Sequence, residues 1–377
     1  MGAGLDTRRD SAPLWPLPGT GAARAGNNQL RTPHPWRHRL LRAIQVLLAL
    51  LVILALAAGI LYWRLTATVT AYSGAHFNTG QNAVWLEHEW AGQSHSGADY
   101  DALAQRLSQE QISYVFAHVG PLNSDGTIPA DRAPNAGTLV AALHTRLPNL
   151  HILAWIGQVE LAGGYPADES INLDDSTVRA TIVQTAAYFV TQLGFDGVHY
   201  DIEPILNNNP RFLDLLDETR AALPAGAILS ISAEKWAPNA HIAEWLYANN
   251  KAGAWWTSYY YAAVAAHVDQ LVALLYNTGM PAPQLYQLTV QQETEHILEA
   301  ARSAAHPPQV LIGLPTYTGN TPWFHDNAEN IQTGLAGVVA GLNSNTQTQP
   351  FAGVAIYRFA LTTAADWSTY DSLWLGK

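Results

Sequence analysis

Phe195-Asp196-Gly197-Val198-His199-Tyr200-Asp201-Ile202-Glu203-Pro204 is the stretch whose reading decides the fold. In an extended segment alternate side chains share a face, so His199, Asp201 and Glu203 point one way and Val198, Tyr200 and Ile202 the other. The apolar face calls for a covering layer of helices. Three polar groups in a row on the opposite face are costly unless they pair with each other or with a ligand. Pro204 stops the strand and leaves Glu203 at its tip. Two carboxylates at this spacing cannot both ionise freely, so one pKa must rise, as a general acid working near neutral pH requires.

Outward from this stretch, similar runs recur with helix-like segments between them. They are Ala67–Ser73, Ile112–Val119, Leu150–Ile156, Ala227–Ala233, Val268–Tyr276, Gln309–Leu314 and Gly353–Phe359, with Phe195–Ile202 as the fourth of eight. Near-continuous Val, Ile, Leu, Ala and Tyr fits parallel strands covered on both faces. Val178–Leu193, Arg211–Leu223 and Asn330–Leu342 carry apolar residues at helical spacing. Eight strand–helix alternations predict a (β/α)8 TIM barrel over 64–377, with polar residues at the strand C-termini forming its site. The alternative is an open doubly wound sheet. No glycine-rich phosphate loop follows the first run, which counts against a dinucleotide fold.

The chain has 377 residues, a net charge of −11 and no cysteine. Disulfides, thiolate metal sites and cysteine nucleophiles are thereby excluded, and nucleic acid is not an expected partner. The charge is unevenly spread. Residues 1–42 hold seven arginines against Asp6 and Asp10, a net of +5, which leaves −16 for the remainder. Between them runs Ala43–Trp63, uncharged and with Gln45 as its one polar side chain. Twenty-one helical residues span about 30 Å, the thickness of a bilayer's hydrocarbon core. We read 43–63 as a transmembrane signal anchor, with a cleaved signal or a buried helix as the alternatives. Arg37, Arg39 and Arg42 on one flank against Arg64 on the other place 1–42 in the cytoplasm and 64–377 outside the cell membrane. The proline-rich segment 1–42 is expected to be disordered.

The fourth run resembles the signature of glycoside hydrolase family 18, an aromatic followed by Asp-Gly-x-x-Asp-x-Glu. The resemblance implies that Glu203 is the general acid/base. It makes Asp201 the residue that orients the substrate's own N-acetyl group, and Asp196 matches the first Asp of the motif. The family usually has a further Asp where His199 stands; a histidine there could donate a hydrogen bond to Asp201 and, protonated, keep it ionised. Tyr276-Asn277 resembles the family's Tyr-Asp after the sixth strand, which implies that Tyr276 bonds the acetamido carbonyl, with Asn277 lacking the charge. Ile312–Tyr317 resembles the seventh strand's Gly-Leu-Pro-x-Tyr and contributes Tyr317. Tyr357 stands where the family usually places a sugar-stacking Trp.

Trp155, Trp236, Trp256 and Trp323 lie near proposed strand ends, and sugar rings stack on aromatic faces. Trp236 and Trp323 are the stronger candidates. Trp85–Trp90 is read as a loop after the first strand. No cofactor and no metal cluster is expected. The leading function is a membrane-anchored glycosidase acting on N-acetylhexosamine-containing glycans. The alternatives are a non-hydrolysing glycan-binding protein on the same barrel, or a glycosidase whose substrate lacks the acetamido group.

Overall fold

A computed structural model of the chain describes residues 35–161, 164–249 and 253–377. Helix α1 (Pro35–Thr66) encloses the apolar run 43–63. Its large apolar side chains, from Leu40 to Trp63, are exposed, and by length and composition it is able to cross a membrane. Residues 35–42, expected to be disordered, belong to this helix; 1–34 lie outside the described residues.

The rest is a closed barrel of eight parallel strands. β1 (Asn82–Leu86), β2 (Ile112–His118), β3 (His151–Val159), β4 (Gly197–Glu203) and β5 (Ile228–Ala233) follow one another around it. After β5 the chain leaves the barrel for an excursion. The excursion holds the short strands β6 (Lys235–Trp236) and β7 (Trp255–Trp256), paired in parallel, with the helix Ala240–Asn249 between them. The barrel resumes with β8 (Gln270–Leu274) and β9 (Gln309–Pro315). A hairpin of β10 (Asn320–Thr321) and β11 (Phe324–His325) precedes β12 (Phe351–Tyr357), which pairs with β1 and closes the ring.

The outer helices in chain order are α2 (Glu89–Gly92), α3 (Gly97–Gln109), α4 (Ala136–Arg146), α5 (Ser176–Leu193), α6 (Pro210–Ala222), α7 (Ala240–Asn249), α8 (Ser258–Ala265), α9 (Pro283–Arg302), α10 (Ile331–Ser344) and α11 (Ala364–Tyr370). Their starts follow local chemistry. Ser96 and Asp99 form a capping box on α3, and Asn209 caps α6 with proline at its first turn.

The first strand is a correction. Ala67–Ser73 forms no strand: the carbonyls of Ala67 and Val69 instead accept bonds from Gln284 on α9 and Gln332 on α10. A slot buried on both faces needs an unbroken apolar run, and all five residues of Asn82–Leu86 are buried, whereas Thr68, Thr70 and Ser73 break up the earlier segment. Trp85 and Leu86 therefore belong to β1 and not to a loop.

Two apolar layers result. One lies between strands and helices and includes Val198, Tyr200 and Ile202 of β4. The other fills the barrel interior with Trp85, Phe116, Leu153, Val272, Tyr276 and Leu311. Tyr200 reaches Thr219 of α6 at 2.9 Å, which fixes the outward face of β4 and so the inward face of His199, Asp201 and Glu203. Gly197 permits the close approach of β4 and β5, since a Cβ there would collide with the Ile228 carbonyl.

Candidate active site at the barrel mouth

The inward side chains of β4 form three levels. His199 is deepest and fully buried. Its ring stacks on Phe116 with centroids 3.9 Å apart. Ser230 Oγ donates to Gln270 Oε1, so its oxygen takes the Nδ1 proton of His199, 2.9 Å away. His199 Nε2 then accepts from Trp85 Nε1 at 3.2 Å and from Ser232 Oγ at 3.2 Å. The neutral ring is fully satisfied, and burial pulls its pKa down to about 3. The expected bond to Asp201 is thus absent: His199 is tied sideways to β1 and β5 and carries no charge at neutral pH.

Asp201 takes its partner from the next strand. Trp155 Nε1 on β3 donates to Asp201 Oδ2 at 2.8 Å. Asp201 Oδ1 is buried and receives no N–H or alcohol donor, and the protonated Glu203 carboxyl is the hydrogen-bonding neighbour of this side chain. Buried acceptors are nearly always paired, so an orphan in a cleft calls for a ligand.

Glu203 ends β4 at the mouth. Its pKa is raised well above the ordinary carboxylate value, first by burial, then by the charges of Asp201 and Glu234 and a side-chain hydrogen bond with Asp201, with Lys235 working in the opposite direction. Burial and neighbouring negative charge thus favour the protonated form of this carboxyl.

Aromatic rings wall the opposite side. Tyr276 lies two residues past the end of β8, 8% exposed, and stacks on Tyr357 at 4.5 Å with nearly parallel planes. Burial, followed by the nearby Tyr357, Asp201 and Glu203, raises its pKa well above that of free tyrosine, so its hydroxyl remains a donor. Tyr357 is pushed up to about 12, chiefly by burial. Tyr317 donates to Asn277 Oδ1 at 2.7 Å, and Asn277 is exposed, with φ of 52°. The cleft beside the carboxylates measures about 360 Å³ and is lined by His118, Trp155, Gln158, Tyr165, Asp201 and Glu203, among others. A larger cavity of about 540 Å³ lies by Arg302 and Thr346–Pro350, next to the start of β12 and so at the other end of the barrel.

Two sequence candidates lie elsewhere. Asp196 precedes β4, at the barrel end opposite Glu203. Its Oδ2 accepts from the Ile152 backbone N–H at 2.7 Å and contacts His144 Nε2 at 3.0 Å. Trp236 packs outside the barrel, stacked on His296 of α9 at 3.7 Å, with its indole N–H on Ser258. Trp256 is buried, whereas Trp323 is 42% exposed, with its carbonyl accepting from Gly279 just beyond Asn277.

Sequence reasoning missed Glu234, Lys235 and His118. Extending the alternation Ser230, Ser232 one step further would have found Glu234 on the inner face. His118 is the same step at the end of β2, and burial lowers its pKa to about 4.

The family profile described as "Glycosyl hydrolases family 18" matches residues 86–374. The chain belongs to this family. It is a glycoside hydrolase on a (β/α)8 barrel. Among solved structures, the Bacillus cereus spore cortex-lytic enzyme SleL is 14% identical, with 82% of this chain and 76% of that one covered at a TM-score of 0.52. The Ostrinia furnacalis Group IV chitinase is 14% identical over 79% of this chain and 100% of its own, with a TM-score of 0.52. A family 18 N-acetylglucosaminidase from Paenibacillus barengoltzii is 14% identical over 79% and 99%, with a TM-score of 0.51. At these identities the likeness is one of fold. No curated protein matches the chain. Set against the motifs given above, His199, Asn277 and Tyr357 are departures of this chain from the family pattern.

Proposed function

We propose that the chain is a membrane-anchored glycosidase cleaving N-acetylhexosamine-containing glycans with retention, by a substrate-assisted route. The observation that carries this reading is Asp201: one oxygen held by Trp155, the other buried without an N–H or alcohol donor, beside a raised Glu203 whose carboxyl hydrogen-bonds the same side chain. In this route Glu203 donates its proton to the glycosidic oxygen as the bond to C1 breaks. The acetamido carbonyl oxygen attacks C1 and forms a cyclic intermediate. Asp201 Oδ1 accepts the acetamide N–H, which orients the carbonyl and stabilises the positive charge that develops on the ring. Tyr276 donates its hydroxyl proton to the same carbonyl oxygen. Glu203, now ionised, takes a proton from water as the water oxygen attacks C1, and this restores both the acid and the acetamido group. Tyr357 and Trp155 offer faces for the sugar ring.

Relatives named as chitinase, N-acetylglucosaminidase and cortex-lytic enzyme support an acetamido sugar as the substrate unit. α1 serves as the signal anchor, with the barrel on the outer side of the membrane. Turnover of N-acetylglucosamine oligomers by the full chain in detergent, compared with Glu203→Gln and Asp201→Asn, tests the reading. We expect turnover by the wild type, near-complete loss in Glu203→Gln and strong loss in Asp201→Asn. Binding without any wild-type turnover would instead identify a glycan-binding protein, the reading that His199, Asn277 and Tyr357 favour. Full activity in Asp201→Asn would remove substrate assistance.

A further inference from the structure

Pro204 has no N–H, so Ile205 is the first residue after Glu203 able to donate a backbone hydrogen bond. Both backbone groups of Ile205 are claimed by the excursion after β5. Its N–H donates to Glu234 Oε1 at 2.9 Å, and its carbonyl accepts from Trp256 Nε1 at 2.7 Å. The grip continues along the same loop. Asn207 Oδ1 accepts from the backbone N–H and hydroxyl of Thr257, and the Asn209 carbonyl accepts from the Tyr260 hydroxyl at 2.7 Å. Glu234 is itself locked. Its Oε2 accepts from the Ala254 N–H at 2.9 Å, and its carbonyl accepts from the Tyr261 hydroxyl. Ile205, Glu234, Trp256, Tyr260 and Tyr261 are all buried.

We propose that Glu234 and Trp256 are positioning residues for Glu203, and that the excursion after β5 holds the proposed acid in place through Ile205. This rests on the reading of Glu203 given above. The residue types fit the task. Two N–H donors from separate segments need a side chain with two acceptors and no donor, which among uncharged and anionic side chains means a carboxylate. Glutamine would keep one arm and turn an NH2 against the other donor. Burying a carboxylate is costly and pushes the Glu234 pKa up, with the Lys235 charge and the Ala254 and Ile205 N–H donors working against that; the negative charge so retained beside Glu203 favours the protonated acid. The other groups facing Glu203 are Asp201 on β4, Lys235 on β6, and the hydroxyls of Tyr276 and Tyr357 beyond β8 and at the end of β12.

Glu234→Gln and Trp256→Phe in the full chain separate the two effects. Glu234→Gln removes charge and one arm; Trp256→Phe removes only the arm to the Ile205 carbonyl. For Glu234→Gln we expect kcat on N-acetylglucosamine oligomers to fall about 10- to 100-fold, with KM within about twofold. The basic limb of the pH profile moves to lower pH. For Trp256→Phe we expect a fall in kcat with that limb unmoved. The carboxyl titration of Glu203, followed by 13C NMR in glutamate-labelled protein and assigned by Glu203→Gln, reads the charge effect without any turnover. It should move to lower pH in Glu234→Gln. Should that variant not fold, Trp256→Phe decides through the split between kcat and KM. An unmoved Glu203 titration in folded Glu234→Gln overturns the proposal, as does wild-type kcat in either variant. Absence of wild-type turnover would sink the glycosidase reading, while the titration would still decide the clamp.

Discussion

Asp196 and Asp201 sit five residues apart in one motif, at opposite ends of β4. Asp196 Oδ2 holds the Ile152 backbone N–H and His144, which stitches β3 and α4 to the start of β4. Asp201 is held by one indole and leaves a buried oxygen that no N–H or alcohol group reaches, with Glu203 as its acidic neighbour. Two aspartates that look alike in the sequence thus differ in what the surrounding protein leaves undone. A carboxylate whose bonds are met at the barrel floor contributes to stability. One left short of a partner at the strand C-termini is poised for a ligand.

Substitutions at the two ends of β4 should separate by kind of effect. The largest effect is expected at the tip. Glu203→Gln should lower kcat by about 10²- to 10⁴-fold with Tm preserved. In the wild type, kcat/KM should fall as pH rises through the elevated Glu203 pKa, because the proposed mechanism uses the protonated acid. A basic limb at the ordinary glutamate value would break the comparison. Asp196→Ala should do the reverse. It should lose about 1–3 kcal/mol of stability in chemical denaturation, because a buried N–H loses its acceptor, while kcat per folded molecule stays within about twofold.

A smaller effect, dependent on pH, is expected from the middle of β4. His199 is neutral in the folded state, with a pKa of about 3, against about 6.5 when unfolded. Between those values the unfolded chain binds a proton that the folded chain refuses. The contribution of this ring to stability should therefore fall as pH drops below about 6.5, by up to about 1.4 kcal/mol per unit, opposite in sign to the contributions of the raised Glu293 and Glu329 carboxyls. His118, pulled down to about 4, adds a parallel slope. Denaturant titrations from pH 7 to 4.5 should show the wild type losing stability relative to His199→Gln as pH falls; a difference that does not change with pH would return His199 to a charged role. The smallest effect is expected outside the barrel: Trp236→Phe should leave kcat and KM within about twofold. A large rise in KM would restore Trp236 to the sugar-binding surface.

Much of the fold was legible because a barrel strand buried on both faces announces itself by composition. Seven of the eight strands lie where apolar runs place them, to within a few residues, as with Gln309–Leu314 against Gln309–Pro315. The first strand was misplaced because β-propensity alone favoured the Thr-rich Ala67–Ser73, and nothing in that segment shows whether a partner edge is free. At the site, the alternation His199, Asp201, Glu203 gave direction but not partners. Trp155 could be listed only as an aromatic near a strand end, yet in the fold it bonds Asp201. Glu234 was passed over because a glutamate after a strand is ordinarily a solvated turn residue, and only the path of the excursion buries it.

By itself the sequence determined the barrel, the helix able to cross a membrane, and the inward row of polar side chains on β4, because these depend on local periodicity and on length. The tertiary structure alone decided that His199 is neutral, that Asp196 belongs to the floor, that Trp236 faces the helices, and that Glu234 and Trp256 grip the residue after Pro204. Each of those follows from which polar atoms meet across strands distant in sequence, and from how deeply they are buried when they meet.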